Sequence, residues 1–217
     1  MATWIAFCVA VVLALPQPPD PFRVALGALL GAILVASGFF FASRTRTLPS
    51  RPPSQRTRLA VLSLLLGSVL GAFLLSLLVL AARAEPLLRA RYAGRQYEPA
   101  WRPWALGFES SILEEVASRL FAMSFVAWIV LRLTHRSRLA FVIALVISTL
   151  LFGLAHLPAW AVVAKTTPML VIGVILLNGI GGALLGWIWW RWGLPYAILC
   201  HLAGDVVIQS LAPKLLG

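Results

Sequence analysis

Six acidic, basic or imidazole side chains stand inside the apolar stretches of this chain. Glu114, Glu115 and Arg119 lie in ILEEVASRLF, His156 closes LFGLAH, and His201 and Asp205 lie in HLAGD. An ionised group at the centre of a membrane-spanning helix costs about 2.5–3.5 kcal/mol on insertion scales, so each is a candidate for function. Glu115 and Arg119 are four residues apart, share a helix face and can pair. Glu114 shares a neighbouring face with Ser118 and has no counter-charge on its own helix. Phe152 with His156, and His201 with Asp205, are also one turn apart, so each pair faces a single neighbour. A carboxylate and an imidazole that face one cavity can hold and deprotonate a water. A second polar cluster opposite them can stabilise an oxyanion. Together these groups could hydrolyse a peptide bond. Glutamate and histidine are also zinc ligands, but no HExxH is present. Neither a GxSxG serine nor a cysteine in a nucleophile's sequence context is present either.

Depth brings these residues together. Glu114 is expected near the start of its helix, and His156 lies near the end of the next. Consecutive spans run antiparallel, so both fall in one leaflet. His201 lies past the middle of the last span, which runs in the same direction as the helix of His156, and falls in that half as well. Asn178 is a milder polar case in the span between them. A lone histidine in a bundle is more often a satisfied core group, and a lone Glu–Arg pair a packing contact. Convergence of all of them at one depth favours a site.

The elements that must position these residues are membrane helices. Hydrophobic residues make up 61% of the chain and charged residues 12%, with a mean hydropathy of +0.93. A soluble domain has about 45–50% and about 25% respectively. No alternating strand pattern suggests a β-barrel. Apolar runs cover Thr3–Leu15, Val24–Ala42, Leu59–Ala82, Ile112–Leu131, Leu139–Leu157, Met169–Trp190 and Leu194–Leu211. The first is short for a span of about 20 residues and is read as a short helix, with a cleaved signal as runner-up. The expected fold is therefore all-α, a polytopic membrane bundle of about seven transmembrane helices in one compact domain. Tryptophans near the run ends fit interfacial anchoring, and the glycines of Met169–Trp190 fit close helix packing. Cys8 and Cys200 have no metal-ligand or CxxC spacing and read as small core residues.

The net charge of +11 comes from arginines in short connections, where topology signals belong, and does not suggest a nucleic-acid partner. Residues 43–58 carry five arginines and no acid, and residues 132–138 carry three arginines and one histidine. The positive-inside rule places both in the cytoplasm. Residues 83–111 would then lie outside, although they hold five arginines against three glutamates and would follow the interface.

The polar residues also fit a known pattern. EEVASR matches EExxxR, FGLAH matches FxxxH and HLAGD matches HxxxN/D. Their order on separate apolar helices resembles the CPBP family (CAAX proteases and bacteriocin-processing enzymes), intramembrane endopeptidases described as glutamate proteases. GALLGWIWWRWGLPYAILCHLAGD is similar to the family's final helix pair, and the resemblance spans residues 108–210. It implies a catalytic bundle over 108–217, preceded by N-terminal transmembrane helices and loops over 1–107. Glu114 would be the general base and His156 its partner. Glu115 would be oriented by Arg119, His201 and Asp205 would line the oxyanion side, and Phe152 would pack against the site. No cofactor is implied, with zinc as runner-up.

One departure is Asp205, where the prenyl-protein proteases carry asparagine. A carboxylate donates no hydrogen bond unless protonated. Either Asp205 is protonated or it orients His201, and the second is preferred. The expected substrate is a membrane-associated protein or peptide met in the lipid bilayer; if the loop argument places the site outside, it is an exported or membrane-inserted protein rather than a cytosolic prenylated one. The expected location is a bacterial inner membrane. The competing class is a non-enzymatic membrane protein, a proton-coupled carrier or a partner-binding protein, since buried Glu and His also serve as proton relays.

Overall fold

The computed structural model describes residues 21–45, 52–161 and 167–217. The Thr3–Leu15 run, expected as a seventh helix, lies outside them. The chain is all-α, with no strand among the described residues. The helices are α1 (Pro21–Thr45), α2 (Pro53–Ala84), α3 (Arg102–Glu115), α4 (Ser124–Thr134), α5 (Ser137–Ala155), α6 (Leu157–Ala161), α7 (Pro168–Arg191) and α8 (Leu194–Leu216). A π-helical segment, Val116–Met123, joins α3 to α4 in one continuous rod. Two 3₁₀ turns, Pro86–Arg91 and Arg95–Tyr97, lie in the connection after α2. Six of the described helices are long and apolar enough to cross a membrane. The protein is an integral, multi-pass membrane protein.

The third span differs from its expected limits. Its apolar run starts at Ile112, but the helix starts at Arg102, with a proline in the first turn, and the span runs to Thr134. Residues 102–111 are too polar to count as a lipid-facing run because part of that surface meets protein. A Cβ at Gly107 would sit 3.3 Å from both Asp205 and Leu202 of α8. Glu114 is therefore not near the helix start. It lies 12 residues beyond Arg102, about 18 Å along the axis at 1.5 Å per residue.

The closest helix crossing is between α2 and α8. A Cβ at Gly67 would collide with the carbonyl oxygen of Cys200, and one at Gly71 would sit 2.6 Å from that of Gly204. Only glycine allows this backbone approach, and the four-residue spacing puts both glycines on one face. The glycines of α7 contribute less to packing: Gly186 meets Leu145, whereas Gly173 has nothing nearby. The core around the rod contains Val116, Leu120, Met123, Ile188 and Trp189. Trp189 is only 1% exposed, so it is a core residue rather than an interfacial anchor, while Trp101 and Trp104 are exposed. Leucines and valines such as Leu29, Leu65, Val69 and Leu176 lie on the outer surface, as a bundle solvated by lipid requires.

Candidate active site

The two glutamates of ILEEVASRLF point into different environments. Glu115, the last residue of α3, is fully buried, and Arg119 is 1% exposed. Their ion pair, Arg119 Nη1 to Glu115 Oε1, spans 3.3 Å. Arg119 lies in the π-helical segment, whose wider turn is also marked by the Ser124 hydroxyl donating to the Arg119 carbonyl five residues back. The guanidinium donates from Nη2 to the Gly182 carbonyl on α7 at 3.1 Å and from Nη1 to the Ser118 hydroxyl. It lies 4.4 Å over the face of Phe152. Ser118 in turn donates to the backbone carbonyl of Glu114. The buried pair thus ties the rod to α5 and α7.

Glu114 faces a cavity instead. Its side chain is 32% exposed, and Oε2 lies 3.5 Å from His156 Nε2 and 3.7 Å from His201 Nε2. His156 caps α5 at its C-terminus. Its Nδ1 is 2.8 Å from the Phe152 carbonyl, which can only accept, so Nδ1 carries the proton and a neutral ring presents the Nε2 lone pair toward Glu114. The one-turn spacing of Phe152 and His156 also sets their rings edge to face at 4.8 Å.

His201 contacts both glutamates. Nδ1 lies 2.9 Å from Glu115 Oε1 and donates to it. Nε2 faces Glu114 Oε2 and Asp205 Oδ2, each at 3.7 Å. The carboxylate nearest this ring is thus Glu115 at 2.9 Å, whereas Asp205, expected to orient it, lies at 3.7 Å. Asp205 instead accepts from the Ser110 hydroxyl of α3.

Glu114, His156, His201 and Asp205 line one cavity of about 830 Å³, with Phe152, Ser110, Ser118 and Asn178 also in its wall. Glu115 and Arg119 lie behind it. Leucines from α2, α3, α5 and α7 make the rest of the wall apolar, and the end near the α2–α3 connection is basic, with Arg91, Arg95 and Arg102. Arg95 donates to Gln209 of α8 at 3.0 Å and pairs with Glu98, which also pairs with Arg102. Arg91 donates to the Ala159 carbonyl at 3.0 Å and lies over Trp160. Burial raises the pKa of the Tyr92 phenol beside them, against the opposing pull of Arg91 and Arg95. Among the described residues, no three His, Cys, Asp or Glu side chains are grouped to hold a metal ion.

Sequence reasoning singled out neither Ser110 nor the basic end. Ser110 was hidden because it precedes the apolar run. The arginines of the basic end fall in the connection expected to follow the interface against the positive-inside rule, and the one clue to a site is that they immediately precede the glutamate-bearing span.

A family model described as Type II CAAX prenyl endopeptidase Rce1-like matches residues 96–207, just over half of the chain. No curated protein and no solved structure gives a match.

Proposed function

Because the chain belongs to the Rce1-like type II CAAX prenyl endopeptidase family, a family of membrane proteases, we propose that it hydrolyses a peptide bond of a membrane-associated protein or peptide with water activated by Glu114 and His156. The observation that carries this reading is the placement of Glu114 Oε2 and His156 Nε2 3.5 Å apart on the cavity wall, both acceptors while the ring is neutral. Two acceptors so placed suit a water that donates one hydrogen to each and keeps a lone pair for attack. As the water oxygen bonds to the carbonyl carbon, its proton passes to Glu114. Glu114 then gives that proton to the amine nitrogen as the C–N bond breaks. His201 and Asp205 border the side on which the carbonyl oxygen gathers charge. Glu115, neutralised by Arg119, holds the His201 ring through Nδ1.

The positive-inside reading puts the turn at residues 132–138 in the cytoplasm. The cavity is lined instead by the connection at the other end of that span, through Arg91, Tyr92 and Arg95. On this reading the site opens to the outer face of a bacterial inner membrane, and the substrate is an exported or membrane-inserted protein. The test compares membrane-protein fragments from cells carrying the wild type, Glu114→Gln, Glu114→Ala or His156→Ala. Loss of the same fragments in all three variants, with the protein still inserted, is the expected result. Normal fragments from Glu114→Ala would overturn it.

A further inference from the structure

We propose that the side-chain amide of Asn178 donates a hydrogen bond to the oxyanion formed during peptide hydrolysis. The inference rests on the reaction proposed for Glu114 and His156.

Acyl transfer needs an N–H or O–H donor aimed at the oxygen that becomes negative. Most candidates in the cavity wall have already committed their hydrogens. The single hydroxyl hydrogens of Ser110, Ser118 and Ser148 go to Asp205 and to the Glu114 and Leu145 carbonyls. The Nδ1 hydrogens of His156 and His201 go to the Phe152 carbonyl and to Glu115. Asp205 is an acceptor when ionised, and the Cys200 thiol is a weak donor. The Gln209 amide, tied to Arg95, stands two turns past His201, about 12 Å along α8. Asn178 remains. Its Nδ2 carries two hydrogens and donates one to the Val174 carbonyl at 2.8 Å.

The packing of α5 against α7 places that amide at the right height. A Cβ at Gly153 would touch Ile175, one at Gly179 would touch Thr149, and one at Gly186 would meet Leu145. Rising numbers on α7 therefore match falling numbers on α5, and Asn178 lies about level with Phe152. Its side chain is turned back toward Val174, while the His156 ring is turned back toward Phe152. Because the helices are antiparallel, the two side chains lean into the same turn from either side, and both line the cavity that Glu114 faces.

The test uses purified full-length protein in detergent and an internally quenched peptide that the wild type cleaves, selected from a synthetic mixture. Asn178→Ala and the isosteric Asn178→Asp are each expected to lower kcat by about 10²–10³-fold, the usual loss for one oxyanion donor, with KM little changed. The aldehyde analogue of the same peptide, whose hydrate mimics the tetrahedral intermediate, should bind correspondingly more weakly. If Asn178→Ala does not fold, Asn178→Asp alone decides. Wild-type kcat in Asn178→Asp, or a loss confined to KM, would overturn the inference. Glu114→Gln is run in parallel. Full cleavage by that variant rejects the underlying Glu–His reading, whereas its inactivity beside a fully active Asn178→Asp rejects only the role of Asn178.

Discussion

Replacing Arg119 by methionine should destabilise the protein far more than replacing Glu114 or His156 on the cavity wall. The guanidinium makes a 3.3 Å ion pair with Glu115 and a 3.1 Å hydrogen bond to the Gly182 carbonyl, and it stacks 4.4 Å over Phe152. Both partners of the ion pair are essentially fully buried. Deleting one member of a buried pair leaves the other charge uncompensated, at a cost of about 3–5 kcal/mol. At about 2–4 °C per kcal/mol for a chain of this size, Tm should fall by about 6–20 °C. The double variant Glu115→Gln/Arg119→Met removes both charges, and the glutamine oxygen can still accept from His201 Nδ1. It should recover about 2 kcal/mol relative to the single variant, since a buried pair replaced as a unit costs little. Tryptophan fluorescence during thermal unfolding in detergent reads this directly, because Trp189 lies in the same core as the rod. A Tm within about 2 °C of the wild type for Arg119→Met would refute the reasoning. A double variant melting below the single one would also refute it.

Three further outcomes follow. Gly71→Leu should lower stability by at least about 1–3 kcal/mol, because even its Cβ would sit 2.6 Å from the Gly204 carbonyl; a wild-type Tm would contradict the close crossing. Cleavage by the purified protein should persist after dialysis against a strong chelator, whereas loss that zinc restores would replace the Glu–His water with a metal-bound one. A reporter fused after Arg95 should read as external, and a cytoplasmic signal would reverse the proposed sidedness.

Much of the bundle could be read from hydropathy, because a lipid-facing helix must be apolar over its length. The start of the third span could not, since Gly107, Ser110 and Ser111 have protein rather than lipid against part of their surface. Helix spacing separated Glu114 from Glu115 and paired the latter with Arg119, a local relation that sequence carries well. The π-helical turn gave no signal, for VASRLFAM contains neither glycine nor proline. The glycine pair four apart in LLLGSVLGAFLL has the spacing of a crossing face, but composition alone points to the glycine-rich α7, whose Gly173 has nothing packed against it. The orientation of His201 was beyond reach, because it depends on which of three carboxylates, two of them 86 or more residues away, comes nearest.

That orientation links the two halves of the site. Among the described residues, His201 contacts both glutamates, through Nδ1 at 2.9 Å to Glu115 and Nε2 at 3.7 Å to Glu114. A change confined to the buried pair therefore has a short path to the cavity. If Arg119 is removed, Glu115 loses the cation that opposes His201, and the imidazole becomes its main remaining partner. The ring is then held more tightly to Glu115 and drawn from the Nε2 contacts with Glu114 and Asp205. Arg119→Met should accordingly lose activity even below its melting temperature, although Arg119 itself never reaches the cavity. The neutral Glu115→Gln/Arg119→Met pair relaxes the pull on the ring and should regain part of that activity together with its stability. Recovery of stability without any recovery of activity would show that Arg119 supports catalysis by a route other than His201.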